Sequence, residues 1–246
     1  MEGLSWLIER PIAHRGLHGN GLVENTLGAA AAAVAANYGI EVDLQLSADG
    51  EVMVFHDTTL DRLMTASGPL ASLTVAELKK VAFRDCAERI PTLQELLQTV
   101  AGRTPLVLEL KSEGDGDLRL PERVAKILVG YEGPVAAMSF DPLMVAAMRK
   151  FAPGLPRGIV AERYYDDPGW TGLTARQKFW LGNLLDIPKT SPHFIAYYVR
   201  DLPATAPLLA RYVLGMKLLT WTVRTEADVK RARRWANQMI FEGFRP

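Results

Sequence analysis

The chain has 246 residues, of which 48% are hydrophobic and 23% charged, values that are ordinary for a soluble globular protein. Its 28 basic and 28 acidic residues cancel, so the charge gives no reason to expect nucleic acid or an anionic membrane as the main partner. Cys86 is the single cysteine, which excludes a disulfide within the chain and favours a reducing compartment. Because the sequence also shows no secretory-signal pattern and no apolar run of about 18 residues, we expect a cytoplasmic protein without stable membrane insertion.

Short apolar, β-prone runs alternate with helix-like segments along the chain. The strands are predicted at 11–14, 40–46, 106–110, 135–140, 158–161, 194–199, 218–223 and 239–242. The helices are predicted at 27–37, 74–82, 93–101, 122–129, 141–151, 173–184, 204–213 and 226–236. Each strand except the last is followed by a helix, which indicates a parallel sheet with crossover connections.

Eight is the number of parallel strands that closes a barrel, and the chain length fits a compact one. We therefore predict an α/β fold, a TIM-type (β/α)8 barrel, formed by a single domain over residues 1–246. An open, doubly wound sheet is the alternative, and it is disfavoured because no Gly-x-Gly-x-x-Gly follows the first strand. Asp49 and Gly50 form a turn signal after the second strand, so 51–56 is predicted to fold back as a small β-hairpin arm.

Acidic residues interrupt two strands that should be buried. In "IEVDLQL", strand alternation puts Glu41, Asp43 and Gln45 on one face and the apolar residues on the other. "LVLELK" repeats the pattern with Glu109 and Lys111 toward the carboxyl end of its strand. A wet edge strand is the structural alternative, but a parallel strand between two helices should be covered on both sides.

The carboxyl ends of the strands are where a barrel builds its active site. Three acids from two strands there could supply the oxygen ligands that magnesium or calcium requires. A zinc site is a weaker interpretation, because the sequence has no His-x-His or Cys-x-x-Cys. The same logic brings His14, at the end of the first strand, and His56, at the end of the hairpin arm, to this edge.

Several candidate residues also have purely structural interpretations. A lone histidine is more often a structural hydrogen-bond donor than a catalyst, so a catalytic role for His14 or His56 taken separately is a hypothesis. His18 and His193 are expected in loops, and Trp221 could pack in the barrel core or contact a ligand.

An ordered set of motifs resembles the glycerophosphodiester phosphodiesterase family. The set consists of "AHRG", "ENT", "EVDLQLSADGEVMVFHD", "LDR", "IPTLQELL", "LVLELK" and "WTV", in that order. The resemblance implies a TIM-type barrel that hydrolyses a small-molecule glycerophosphodiester to glycerol phosphate and an alcohol with one divalent cation, Mg²⁺ or Ca²⁺, with Mn²⁺ as a third candidate.

The resemblance also assigns expected roles to residues of this chain. It implies that Glu41, Asp43 and Glu109 bind the metal, and that His14 and His56 are catalytic. It further implies that Arg15 and Lys111 contact the phosphate and that Trp221 lines the substrate cleft. Glu24 and Asn25 match a motif near the site with a supporting role. The resemblance leaves open which histidine is the acid and which the base.

The chain departs from the family pattern near its C-terminus. Arg224 stands where asparagine is usual after "WTV", and "NQMIFEGFRP" replaces the usual last-strand motif. We expect Arg224, Glu242 and Arg245 at the rim of the barrel mouth, outside the metal and histidine group. There they would either contact the leaving alcohol or form a solvated, salt-bridging rim.

Two alternatives to a glycerophosphodiesterase stay open. A related phosphodiesterase, such as a lysophospholipase D, would need an apolar groove or membrane-seeking loop, and the polar segment 57–74 offers little room for one. A catalytically silent binding protein on the same barrel would be marked by loss of an acid or a histidine. All five of those residues are present.

Overall fold

The computed structural model describes residues 3–166 and 170–246. The strands are β1 Ile12–Ala13, β2 Gly39–Leu46, β3 Val52–Val54, β4 Leu106–Leu110, β5 Val135–Ser139, β6 Arg157–Ala161, β7 Phe194–Tyr198, β8 Lys217–Val223 and β9 Gln238–Phe241. The helices are α1 Leu27–Ala35, α2 Val75–Leu78, α3 Leu93–Val100, α4 Arg119–Ile127, α5 Pro142–Phe151, α6 Ala175–Gly182, α7 Ile187–Thr190, α8 Thr205–Tyr212 and α9 Glu226–Trp235.

Eight of these strands form a closed parallel ring. Around the ring the order is β1, β2, β4, β5, β6, β7, β8 and β9, and β9 pairs back with β1. The predicted TIM-type barrel is therefore confirmed, and the open sheet is excluded. β3 lies outside the ring and pairs antiparallel with the end of β2, with Gln45 opposite Met53, which confirms the hairpin arm.

The interior of the barrel changes character from one end to the other. Toward the amino ends of the strands it is apolar, and the interior cluster contains Ile12, Val107, Ala136 and Phe194 among its members. Strand alternation then turns the next inward position of β4, Glu109, into the same interior two residues later. The outward residues of the strands pack against the surrounding helices in a separate and larger apolar cluster. The barrel thus has a packed apolar floor and a charged mouth.

Side chains cap the first turns of helices α5 and α9. The Asp141 side chain accepts a hydrogen bond from Leu143 N at 2.8 Å and caps α5, with Pro142 in the first turn. Thr225 and Asp228 form a reciprocal capping box at the start of α9. α5 and α9 are the longest helices in the described residues, with ten residues each. None of the described helices has the length and hydropathy of a membrane-spanning segment.

Three predicted helices differ most from the structure, and one of them, predicted at 122–129, is found at Arg119–Ile127. The helix predicted at 74–82 covers only Val75–Leu78, because the carbonyl of Ala82 accepts a hydrogen bond from Thr65 N and so joins a bridge to the neighbouring segment. The helix predicted at 173–184 is shorter, Ala175–Gly182, and the separate α7 follows it.

Candidate active site

A large cavity opens at the carboxyl ends of the barrel strands. Its volume is about 1500 Å³, and its lining includes both charged and aromatic residues. The eight site residues expected from the sequence all line it: His14, Arg15, Glu41, Asp43, His56, Glu109, Lys111 and Trp221. Parallel pairing explains the convergence, because Asp43 of β2 lies directly opposite Glu109 of β4.

Three carboxylates lie together at the floor of this cavity. Glu41, Asp43 and Glu109 are buried, and one carboxylate oxygen of each lies within 4.8 Å of the others. Carboxylates packed this closely and away from water repel one another unless cations compensate them. The cluster is therefore the dominant electrostatic feature of the site.

Glu41 is the least compensated of the three. Arg15 donates its backbone N–H to Oε2 at 3.1 Å, but the buried Oε1 has no hydrogen-bond partner. Burial, together with the charges of Asp43 and Glu109, raises the pKa of Glu41 well above its ordinary value. An unpartnered buried carboxylate oxygen beside two other carboxylates fits a hard divalent cation, which takes oxygen ligands.

Asp43 is the most compensated. It accepts a hydrogen bond from Asn25 Nδ2 at 2.9 Å and lies 3.2 Å from Lys111 Nζ and 3.3 Å from Arg15 Nε. Burial alone would raise the pKa of Asp43, but the charges of Lys111 and Arg15 outweigh it and hold that pKa far below the ordinary value. The hydrogen bond from Asn25 to Asp43 is consistent with the supporting role expected of Asn25.

Arg15 enters the cavity from a tight turn after β1. Its φ of 56° lies in the left-handed region, and Gly16 follows with a φ of 79°. A Cβ on Gly16 would lie 2.9 Å from Ala29 of α1, so only glycine fits this close approach. The turn lets Arg15 reach Glu24 Oε1 at 2.6 Å in addition to Asp43.

Lys111 sits between two carboxylates. Its Nζ donates to Glu109 Oε1 at 2.9 Å as well as pairing with Asp43. Burial lowers the pKa of a lysine, but here Glu109 and Asp43 outweigh burial and raise the pKa of Lys111, which keeps it cationic. Lys111 and Arg15 are therefore two fixed positive charges facing the cavity.

His14 has a partner that the sequence did not assign to it. Its Nδ1 lies 2.7 Å from Glu242 Oε2, and its Nε2 lies 3.9 Å from Glu41 Oε2. The expectation that Glu242 stays outside the metal and histidine group is therefore wrong. The hydrogen bond to His14 lowers the pKa of Glu242 to about 2, whereas burial lowers the pKa of His14.

The other rim residues divide. Arg224 donates Nη2 to Glu242 Oε2 at 2.8 Å and lines the cavity, while Arg245 is exposed and does not line it. The signal for the His14–Glu242 contact was barrel closure, because both residues directly follow strands that a closed ring makes neighbours.

His56 is held from two sides. Its Nδ1 lies 2.7 Å from Asp57 Oδ1, and Asp57 in turn accepts hydrogen bonds from Arg62. Gln45, on the inward face of β2, donates Nε2 to the carbonyls of Phe55 and Asp57, both at 2.8 Å. These bonds fix the backbone on both sides of His56, a role that the sequence did not reveal for Gln45.

An aromatic wall forms another part of the cavity lining. We define it as Phe140, Tyr165, Trp170, Tyr198 and Trp221, all of which line the cavity. Phe140 is the centre, with ring centroids 5.0 Å from Trp170 and 5.2 Å from Trp221, and Tyr198 lies 5.2 Å beyond Trp221. Trp221 donates Nε1 to the carbonyl of Ala196 at 3.1 Å, so it is half-buried and fixed.

The amino-acid sequence matches a known family over almost the whole chain. The sequence profile of the glycerophosphoryl diester phosphodiesterase family matches residues 14–242, from the first candidate histidine to its glutamate partner. The chain belongs to this family. The expected class of activity, a phosphoric diester hydrolase, is therefore confirmed.

Named relatives agree with this membership. A glycerophosphodiester phosphodiesterase of Caldanaerobacter subterraneus is 30% identical over 233 residues, which cover 89% of this chain and 88% of that protein. Human glycerophosphodiester phosphodiesterase 1 is 37% identical over 243 residues, covering 87% of this chain and 71% of that protein.

Solved structures share the fold. A phosphodiesterase of Oleispira antarctica, in complex with the product sn-glycerol-3-phosphate, superimposes with a TM-score of 0.79 at 22% identity and covers 96% of this chain and 93% of its own. A family member from Silicibacter pomeroyi gives a TM-score of 0.77 at 24% identity, with coverage of 97% and 93%. At these identities the likeness establishes the barrel alone.

The strain in the carboxylate cluster gives a stability prediction for Glu41→Gln. A carboxyl whose pKa is raised by folding stabilises the fold only when protonated, so that stability is lost as pH rises above the unfolded pKa. In excess chelator at neutral pH, we expect Glu41→Gln to melt a few degrees higher than the parent, at roughly 2–4 °C per kcal/mol. The difference should shrink near pH 4, about the unfolded pKa of glutamate.

The same scan with divalent cations completes the test. Mg²⁺, Ca²⁺ or Mn²⁺ should raise the melting temperature of the parent and leave Glu41→Gln unshifted. Glu122→Gln, at an exposed carboxylate paired with Lys126, is the matched control and should behave as the parent. A parent that melts above Glu41→Gln in chelator and ignores all three cations would contradict this account of the cluster.

Proposed function

We propose that this protein hydrolyses glycerophosphodiesters to glycerol 3-phosphate and an alcohol, using one divalent cation and histidine acid–base catalysis. The observation that carries the proposal is the buried carboxylate cluster. The cationic side chains of Arg15 and Lys111 and two histidines that bind carboxylates lie at the same cavity. Family membership supports the reaction class.

Glu41, Asp43 and Glu109 would hold the cation. Mg²⁺ and Ca²⁺ are the main candidates because all three side chains offer carboxylate oxygens, and Mn²⁺ is a third. When bound, the cation would supply charge stabilisation to the phosphate oxygens.

Arg15 and Lys111 bind the phosphodiester. Both are fixed by neighbouring carboxylates and both face the cavity, so their positions change little when the anion arrives. Preorganised cations of this kind stabilise the charge that grows on the phosphate oxygens as the attacking oxygen approaches.

His14 and His56 move the protons. One histidine removes the proton of the substrate's neighbouring glycerol hydroxyl as its oxygen attacks phosphorus, and the other protonates the oxygen of the leaving alcohol as its bond to phosphorus breaks. Water then opens the resulting cyclic phosphate to glycerol 3-phosphate. Each ring binds a carboxylate through Nδ1, which leaves Nε2 as the nitrogen that can exchange a proton with the substrate. Both orders of acid and base are compatible with this geometry.

A phosphodiester that carries an acyl chain is the second candidate substrate. The segment 57–74 was expected to offer little apolar room, but the aromatic wall comes from elsewhere, between β5 and β8. At the outer end of the cavity Leu143, Tyr164 and Trp180 are 40%, 54% and 43% exposed. Such an apolar surface next to the phosphate site would fit the chain of a lysophospholipid. A silent binding protein is disfavoured, because the acids and histidines converge.

Location and further partners stay predictions. The single cysteine supports the cytoplasm, and the balanced charge argues against nucleic acid.

A substrate panel tests the proposed function. Purified protein should release glycerol 3-phosphate from at least one of glycerophosphocholine, glycerophosphoethanolamine and glycerophosphoglycerol, measured by an enzyme-coupled assay. Excess chelator should abolish release, and Mg²⁺, Mn²⁺ or Ca²⁺ should restore it. Full turnover in chelator, with no metal found by elemental analysis, would contradict the cation assignment. If 1-acyl-lysophosphatidylcholine were hydrolysed at a higher kcat/KM than all three, the acyl-bearing substrate would replace the proposed one.

Histidine variants test the proton transfers. His14→Ala and His56→Ala should each lower kcat by at least about a hundredfold, the lower range for one acid–base group. Neither should change the melting temperature by more than a few degrees, because both rings lie at the cavity rather than in an apolar cluster. His193→Ala, outside the cavity lining, is the control. A variant at either position that keeps near-parent kcat would show that this histidine is structural.

A further inference from the structure

The two histidines are bound by parallel sets of partners. His56 Nδ1 contacts Asp57, and Asp57 accepts from Arg62. His14 Nδ1 contacts Glu242, and Glu242 accepts from Arg224 Nη2 at 2.8 Å. The Asp57 set is contiguous in sequence, within seven residues (56–62), whereas the Glu242 set joins residues 14, 224 and 242.

Barrel closure fixes the Glu242 set. His14, Arg224 and Glu242 each directly follow a strand, β1, β8 and β9, and these three strands are consecutive in the ring. The backbone ties them further, because His14 N donates to the carbonyl of Phe241 at 2.9 Å and Glu242 N donates to the carbonyl of Val223 at 3.0 Å. The side chains therefore meet on a rigid rim rather than in a free loop.

The chemistry of the contact selects one form of the imidazole. An ionised carboxylate can only accept hydrogen bonds, so Nδ1 of His14 carries the hydrogen. In the neutral ring Nε2 then holds the lone pair. Nε2 lies on the other side of the ring, 3.9 Å from Glu41 Oε2. It therefore faces the part of the cavity beside the carboxylate cluster, where the substrate phosphate would bind.

We propose that Glu242 is a positioning residue for His14, and that Arg224 fixes Glu242 in place. Arg224 and Glu242 then act on the reaction through the orientation and tautomer of His14, and not through contact with the leaving alcohol. Because the catalytic part of this inference rests on the proposed function, its test includes a measurement that needs no turnover.

That measurement is the nitrogen-15 spectrum of the histidine rings. The chain has only four histidines, so His14 can be assigned by comparing the parent with His14→Ala. In the parent, neutral His14 should carry its hydrogen on Nδ1. In Glu242→Gln, whose amide can either donate or accept, this preference should be lost. Glu226→Gln, at an exposed carboxylate paired with Lys230, should leave the His14 signals unchanged.

Kinetics test the catalytic part. Glu242→Gln should lower kcat about ten- to a hundredfold, a part of what one acid–base group contributes, with KM within about threefold of the parent. Glu242→Asp keeps the carboxylate and should recover part of that loss. In the double variant with His14→Ala, the loss should equal that of His14→Ala alone, because residues acting as one unit are not additive.

Arg224 separates positioning from recognition of the alcohol. Arg224→Gln should lower kcat less than Glu242→Gln, because Glu242 keeps its bond to His14. The loss should be equal for glycerophosphocholine, glycerophosphoethanolamine and glycerophosphoglycerol. A change in the ratio of their kcat/KM values would overturn the inference and assign Arg224 to the alcohol.

Two further results would overturn the inference. One is a His14 spectrum that does not respond to Glu242→Gln. The other is a loss from Glu242→Gln that multiplies with the loss from His14→Ala. If the parent hydrolyses no phosphodiester but its His14 tautomer depends on Glu242, the proposed function fails and the role of Glu242 at His14 stands.

Discussion

The structure depends on the burial of three carboxylates at one point. Glu41, Asp43 and Glu109 are buried together, with one carboxylate oxygen of each within 4.8 Å of the others, and this burial opposes folding unless positive charge lies nearby. Arg15 and Lys111 supply two such charges. The buried Oε1 of Glu41 has no hydrogen-bond partner, and a divalent cation bound there would supply the compensating charge.

The apolar burial in the barrel offsets the free-energy cost of this arrangement. The apolar floor and outer layer bury side chains from every strand of the ring, including Val42 and Leu108 on the opposite face of the two strands that carry the acids. Strand register then sets the positions of the acids, as the pairing of Asp43 with Glu109 shows. Further hydrogen bonds hold this arrangement: Asn25 donates to Asp43, Gln45 donates to the backbone carbonyls beside His56, and Glu242 accepts from His14.

The sequence predicted the features that depend on periodicity. Alternation within β2 and β4 placed the acids on one face, and the Asp49–Gly50 turn signal predicted the arm that carries His56. It did not predict the aromatic wall, because Phe140 follows β5 and Trp221 lies in β8, so two other strands, β6 and β7, separate the two residues in the chain. The end of the helix predicted at 74–82 was missed for a similar reason, since the bond from Thr65 to Ala82 is tertiary. Glu242 was expected at the rim, where it does pair with Arg224, but its contact with His14 was not predicted, because nothing local links it to a histidine 228 residues away.

We expect the carboxylate cluster to bind a divalent cation. Anomalous X-ray diffraction from crystals soaked in Mn²⁺ tests it without any assay of activity. We predict one strong anomalous peak bounded by Glu41, Asp43 and Glu109, with oxygens at roughly 2.0–2.6 Å, the range for hard cations. A fully occupied peak elsewhere, with Glu41 Oε1 still unpartnered in the cluster, would contradict the account.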